Sequence, residues 1–251
     1  MRLQPLIRAL LANSLLFCIS PAHAQYNTTD SLSYLKAKQQ AIAFYHTYVK
    51  DESGLYNGSQ YVVYAQTIQE GIPFFETPEP SKGNVVYTGV LYENVPLLYD
   101  ILKGQLITLI PSSNYLICLN ADKVSNFEIL NHKFTRLIKD SGDKTIKTGF
   151  YEVLHDGQTT VYKKQTKTVG EDLSQAKLRN FIVESNTFYI KKTNTFYTVS
   201  NKKSLLTILK DRKKEVQEFI KKNKLDIRND KDNALPKIAA FYDSLSTIKN
   251  P

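Results

Sequence analysis

Between Gly83 and Ile110 the chain reads G-N-V-V-Y-T-G-V-L-Y-E-N-V-P-L-L-Y-D-I-L-K-G-Q-L-I-T-L-I, and this stretch limits the fold more than any other. Short apolar runs are cut every few residues by turn residues. Val85 to Tyr87 meets Thr88-Gly89, Val90 to Tyr92 meets Glu93-Asn94, Leu97 to Leu102 meets Lys103-Gly104, and Leu106 to Ile110 meets Pro111. β-branched and aromatic side chains suit a pleated surface, and glycine supplies the positive φ of a tight hairpin. The stretch therefore predicts the central strands of an antiparallel sheet, apolar on both faces and covered on both.

The same signals continue downstream. Phe127 and Ile129 alternate with Asn126 and Glu128, and Asn131-His132 occupies the position of a tight turn before Phe134 to Ile138. Thr148 to Lys167 reads as a second hairpin around His155-Asp156-Gly157. Phe181 to Val183, Phe188 to Ile190 and Phe196 to Val199 read as three short strands with turns at Asn186 and Asn194. About ten strands with short links make a meander. Upstream, Asp30 caps an expected helix with Leu32, Leu35, Ile42, Tyr45 and Val49 on one stripe, which Asp51 to Gly54 stops. The prolines Pro73, Pro78 and Pro80 make the segment before the sheet irregular. After Ser200 the pattern turns helical. A first helix covers Lys202 to Leu209. A second is capped by Asp211, with Val216, Phe219 and Ile220 on one face. A third is capped by Asn233, with Ile238, Tyr242 and Leu245 on its stripe and Pro236 in its first turn.

The expected fold is mainly β with helices (α+β). An antiparallel meander forms a barrel-like sheet or a sandwich, joined by an N-terminal helix and a small three-helix C-terminal tail. The expected divisions are a signal peptide (1–24), an N-terminal helix docking on the sheet (25–54), an antiparallel β domain (55–200) and a basic helical subdomain (201–251). The signal assignment rests on Arg2 and Arg8, the apolar run Ala9 to Ile19, and Ala22-His23-Ala24 as a small-x-small cleavage site. That run is short of the ~20 residues needed to cross a bilayer, and no transmembrane segment is expected in the mature chain. Its only cysteine is Cys118, within Tyr115 to Leu119, so no internal disulfide is available and the core alone must hold the fold.

Four pieces of the chain carry a resemblance: L-Y-N-G-S-Q-Y (Leu55 to Tyr61), Y-T-G-V-L-Y-E-N-V-P-L-L-Y-D-I (Tyr87 to Ile101), K-K-E-V-Q-E-F-I-K-K-N-K-L (Lys213 to Leu225) and I-A-A-F-Y (Ile238 to Tyr242). With these, most of the mature chain resembles an uncharacterised family of exported, signal-peptide-bearing β-rich proteins from Gram-negative bacteria with a basic helical C-terminal tail. The resemblance implies export, a β-rich body and that tail, and it brings no catalytic residue to transfer. Pro236 departs from the plain helical residue expected at its position.

Chemical motifs are sparse. His46, His132 and His155 are far apart and in no metal-ligand spacing, and no G-x-S-x-G, G-x-x-x-x-G-K-[ST] or G-x-G-x-x-G occurs. Asp100 and Glu152 are acids flanked by apolar residues, which makes them the candidates for a buried carboxylate. Sixteen Tyr and twelve Phe accompany no Trp, so a sugar-stacking platform would lack its largest face. No cofactor is called for. The one charge asymmetry lies between Ser200 and Lys231, where eleven Lys and Arg face five Asp and Glu. Lys213, Lys214, Lys221 and Lys222 fall off the apolar stripe of the second helix and form the candidate surface for an anionic partner, either an anionic membrane surface or an acidic envelope protein. Nucleic acid is not expected, because no aromatic residues are interleaved as a stacking platform. The leading expectation is an exported envelope protein, periplasmic or extracellular and open to outer-membrane association, acting as a non-enzymatic binding or assembly module. The alternatives are a periplasmic lipid or lipoprotein carrier with an apolar ligand inside a curved sheet, and an enzyme with a dispersed site.

Overall fold

The computed structural model describes residues 33–34, 36–38, 40–41, 54–64, 67–142, 144–173 and 178–247. The chain divides into two compact units, residues 1–48 and 49–251. In the first unit the described residues between Ser33 and Ala41 are helical. The remainder of the expected N-terminal helix, what it docks on, and the signal segment lie outside the described residues.

The second unit is built on one antiparallel sheet of eleven strands. In chain order these are β1 (Ser59–Gln60), β2 (Ser81–Tyr87), β3 (Val90–Asp100), β4 (Gln105–Leu109), β5 (Leu116–Cys118), β6 (Val124–Ile129), β7 (His132–Leu137), β8 (Gly149–His155), β9 (Thr159–Asp172), β10 (Arg179–Lys192) and β11 (Thr195–Thr198). Their lateral order is β1-β5-β4-β3-β2-β6-β7-β8-β9-β10-β11. Turn chemistry sets most of the register. Thr88 and Gly89 have φ of 51° and 78°, and Thr193 and Asn194 have φ of 48° and 62°, as two-residue hairpin turns require.

Three expected turns take other forms. Glu93-Asn94 does not end a strand: β3 runs through it, with two residues opposing Asn84 where the β2–β3 register shifts between Gly83 and Val85. Asn94 has φ 56° and donates its amide to the Asn84 side chain. Asparagine tolerates left-handed backbone in a turn and in a bulge alike, so the residue type does not separate them. Asn186 makes no turn either, because it lies within the 14-residue β10 opposite Gln165. The β6–β7 turn is Leu130-Asn131, φ 51° and 65°, which leaves His132 as the first residue of β7 paired with Ile129.

The sheet curls strongly. Glu70 bridges to Phe181 on β10, and Phe74 bridges to Asp100 on β3. β3 and β10 are six spacings apart in the lateral order, roughly 29 Å in a flat sheet. The four residue steps from Glu70 to Phe74 reach at most about 14 Å. Lys167 of β9 fixes this linking segment by donating to the carbonyls of Ile72 and Phe74 at 3.0 and 2.7 Å. Inside the curl, Tyr99 (β3), Phe127 (β6), Phe134 (β7) and Phe150 (β8) meet with ring centroids 4.7–5.9 Å apart. They join Val85, Tyr87, Leu97, Leu106 and Ile129 in the largest core. The opposite face of β3–β5 is covered as well, by Tyr61 and Phe74 over Leu98, Ile107 and Cys118.

The helices close the other half of the inner face. α1 (Lys202–Ile208), α2 (Lys213–Lys222) and α3 (Lys231–Thr247) bring Leu205, Leu206, Val216, Ile220, Leu235, Ile238 and Tyr242 onto Val161, Phe188 and Ile190 of the sheet. Asn201 caps α1 in a reciprocal box with Ser204. Asp211 does not cap α2, since its carboxylate is taken by Lys192 and Tyr242. Nor does Asn233 cap α3, because its amide donates to the Asp230 carboxylate, and the helix starts three residues earlier than the pattern indicated. Pro236 therefore falls in the second turn, where it leaves the Asp232 carbonyl without its helical donor.

Candidate functional site

Asp100 ends β3 and is fully buried. The residues after β1 continue along the edge of β5, with the Tyr61 amide donating to the Leu116 carbonyl, and this places two tyrosines over the acid. Tyr61 donates to Asp100 at 2.9 Å, Tyr64 reaches both carboxylate oxygens at 2.6 Å, and the Lys103 amide donates at 2.9 Å. The Lys103 ammonium covers both rings, 4.7 and 4.1 Å from their centroids. Burial, and then the hydrogen bond to Asp100, push both tyrosine hydroxyls well above their ordinary pKa. Every Asp100 oxygen is occupied by a donor that stays protonated, so the cluster is a tie between the edge segment and β3. Cys118 nearby is buried, and burial pushes its thiol up, so it lacks the thiolate a nucleophile needs.

Glu152 lies on the inner face. Phe134, Glu152, Lys163 and Phe188 are directly opposite one another on β7, β8, β9 and β10, so an acid–base pair sits between two aromatic residues of separate cores. Glu152 is 5 % exposed. One oxygen is 2.5 Å from His132 Nδ1, and the other is 3.6 Å from Lys163 Nζ and has no hydrogen-bond partner. Lys163 also meets Asp232 of α3 at 2.6 Å. Burial pulls the Lys163 ammonium down, but the bond to Asp232 and the Glu152 charge outweigh it and hold its pKa above the usual value. His132 Nε2 faces Glu76 at 3.4 Å, and Glu76 has left-handed backbone, φ 53°. The result is a chain of alternating acidic and basic side chains, Glu76, His132, Glu152, Lys163 and Asp232, running from the segment before β2 to the start of α3.

This chain orients an imidazole, yet both ring nitrogens face carboxylates. No hydroxyl or thiol hydrogen-bonds to His132 in the described contacts, and among the described residues no group of His, Cys, Asp and Glu is arranged to hold a metal ion. His155 belongs elsewhere: it pairs with Asp243 of α3 at 3.0 Å, and Asp243 also accepts from the Thr159 amide. His132 and His155 therefore do not converge. Asp100 and Glu152 also have separate partners, and His46 lies outside the described residues. The sequence reading placed His132 at a turn and so missed its contact with Glu152. The signal was present in the alternation of His132, Phe134 and Arg136 against Lys133, Thr135 and Leu137, which puts His132 on the face of Phe134.

The four candidate lysines sit on α2. Val216 and Ile220 are buried, and Phe219 stacks on Phe241 of α3 with centroids 4.1 Å apart. Lys213, Lys214, Lys221 and Lys222 are exposed. At 100° per residue, Lys214, Lys221 and Lys222 point away from the Val216–Ile220 stripe, while Lys213 opens the helix. None of the four occurs in an ion pair among the described residues. Of the neighbouring acids, Glu215 is taken by Arg212 at 3.4 Å and Asp211 by Lys192 at 2.6 Å, while the exposed Glu218, one turn from both Lys214 and Lys222, offsets part of their charge. Burial raises the Asp211 carboxyl, and the bonds from Lys192 and Tyr242 more than offset this and hold it below its ordinary range.

No family profile, no curated protein and no solved structure matches the chain. No described helix is long and apolar enough to cross a membrane.

Proposed function

We propose that the protein is an exported envelope component, periplasmic or extracellular, that works as a non-enzymatic binding or assembly module. A barrel-like β body carries a basic helical tail whose α2 engages an anionic partner, and an anionic membrane surface fits it best. The observation that carries this reading is the exposure of Lys213, Lys214, Lys221 and Lys222 without ion-pair partners on a helix fastened to the sheet by Val216 and Ile220. Export rests on the N-terminal charge, apolar run and cleavage pattern. The alternative of an apolar-ligand carrier is disfavoured where Tyr99, Phe127, Phe134 and Phe150 fill the curl.

Each lysine near an anionic leaflet contributes about 1 kcal/mol, and salt screens it. Replacing all four by glutamine is expected to weaken binding to phosphatidylglycerol vesicles by roughly a hundredfold or more at low salt. Wild-type binding should fall as salt is added. Equal co-sedimentation of wild type and the quadruple variant would remove the proposal. A second reading, an enzyme with a dispersed site, has the His132–Glu152 contact behind it. It is tested by turnover of ester, glycoside and peptide libraries, where no difference between wild type and His132→Gln would end it.

A further inference from the structure

A pocket of about 440 Å³ opens between the β11–α1 junction and the α2–α3 connection, lined by Ser200, Asn201, Lys202, Leu225, Ile227 and Arg228 together with Asp226. Its volume lies in the range of small-ligand sites, ~300–1,000 Å³. Both walls are fixed by local hydrogen bonds. On one side Asn201 and Ser204 exchange side-chain and backbone bonds, and the Ser200 amide donates to Ser204 Oγ. On the other, Asp226 accepts from the amides of Arg228 and Asn229 at 2.9 and 3.1 Å and from Asn229 Nδ2 at 2.7 Å, and the Leu225 amide donates to the Ile220 carbonyl. Ile227 is anchored in the core beneath.

The charge balance follows from those bonds. The only acid in the lining, Asp226, stays ionised, because the Asn229 amide and side chain lead the donors that hold its carboxyl below the usual range and the Arg228 charge adds to them. Its carboxylate is turned onto its own loop, and Lys202 and Arg228 leave the lining with a net positive charge of one. Lys202 and Arg228 take part in no ion pair among the described residues. Lys221, Lys222 and Lys224 stand just upstream of Leu225 and add to the positive field. A guanidinium offers paired donors to a tetrahedral oxyanion and an ammonium adds a point charge, while Leu225 and Ile227 offer apolar contact to the carbon skeleton beside it.

We infer that this pocket binds a terminal phosphate monoester, with Arg228 and Lys202 on the phosphate and Leu225 and Ile227 against the attached carbon skeleton. The inference rests on the anionic-partner reading and gives that partner a chemical class. The phosphate can come from a soluble ester or from a lipid head group, and the two sources share the same recognition.

The test uses the full chain. Glycerol 3-phosphate is titrated and the backbone amide resonances of Asn201, Lys202 and Arg228 are followed. Saturable shifts, with affinity reduced at least tenfold in Arg228→Gln and in Lys202→Gln, support the site. No saturable shift, or equal binding of acetate at the same concentration, overturns it. Lys213 and Lys214 lie at the far end of α2 and do not line the pocket, so the Lys213→Gln/Lys214→Gln variant should still bind the ester; loss of that binding also overturns it. Vesicles then assign the source. A preference for phosphatidic acid over phosphatidylglycerol at matched surface charge, lost in Arg228→Gln, supports a lipid monoester. Ester binding without that preference supports a soluble one. Should the quadruple variant keep full vesicle affinity while Arg228→Gln abolishes ester binding, the α2 reading falls and the pocket stands.

Discussion

Replacing Asp100 by alanine tests whether the buried carboxylate holds the edge segment to β3. Three donors lose their acceptor: Tyr61 Oη, Tyr64 Oη and the Lys103 amide. They do not lose equally. Tyr61 is 5 % exposed, so its hydroxyl is left buried without an acceptor, while Tyr64 is half-buried and Lys103 exposed, so water replaces much of what they lose. A hydrogen bond to a charged group is worth ~1.5–3 kcal/mol, and a rehydrated one loses about 0.5–1 kcal/mol. The expected cost is therefore about 3–4 kcal/mol. In a unit of this size each kcal/mol moves Tm by ~2–4 °C, so a fall of roughly 10 °C is expected. The chain has no Trp, so urea and thermal unfolding are followed by circular dichroism. Tyr64→Phe supplies the second arm. Asp100→Ala and Tyr64→Phe share one bond, so the double variant should cost less than the sum of the singles by about 0.5–1 kcal/mol. Asp100→Asn keeps the shape and one acceptor and should cost less than alanine. A loss below ~1 kcal/mol in Asp100→Ala, or strict additivity with Tyr64→Phe, would refute the tie.

The remaining predictions concern other parts of the fold. Tyr61, Tyr64 and Tyr99 have folded pKa values above the ordinary 10.0, through burial and then Asp100, so their stabilisation is complete below pH 10.0 and is lost as pH rises beyond it. An absorbance titration at the tyrosinate band should leave these residues un-ionised until alkaline unfolding, and a single transition for all tyrosines in the folded protein would contradict this. Glu152→Ala removes the acid between His132 and Lys163 and should cost about 3 kcal/mol, the range for breaking a buried charged network, with a urea midpoint near wild type as the contrary result. Gly83→Ala places a Cβ 2.2 Å from the Glu128 carbonyl oxygen between two central strands, so it should destabilise by roughly 3 kcal/mol or fail to fold, and a wild-type Tm would disprove the close approach. Leu235→Ala empties a buried α3 position in the core shared with Val161 and Ile190. It should cost ~2–5 kcal/mol in one cooperative transition, whereas helices melting ahead of the strands would show that the core is not shared.

Most of the strand inventory was legible because it is written in local alternation and turn chemistry. Thr88-Gly89, Lys103-Gly104 and Asn194 turn where their residue types predict. Asn94 and Asn186 misled for a common reason: an asparagine signals tolerance of unusual backbone or of exposure, and its neighbours across the sheet decide which is used. The cap positions of α2 and α3 slipped because Asp211 found Lys192 and Tyr242 across space, and Asp230 offered α3 an earlier start. The lysine face of α2 was legible in part: helical periodicity separates Lys214, Lys221 and Lys222 from Val216 and Ile220, whereas Lys213, three residues before Val216, falls on their side and is exposed because it opens the helix.

The sequence by itself determined which stretches become strands and helices, which faces are apolar, and where the spare positive charge collects. Those properties depend on residues two to four positions apart. Tertiary structure decided what the buried charges do. Tyr61 reaches Asp100 across 39 residues, and Thr159 and His155 reach Asp243 across 84 and 88. Alternation tells which face a side chain takes but not who stands opposite. That choice comes from strand register and from the curl that brings Glu70 to β10 and Phe74 to β3, both of which form only when the whole sheet closes its core.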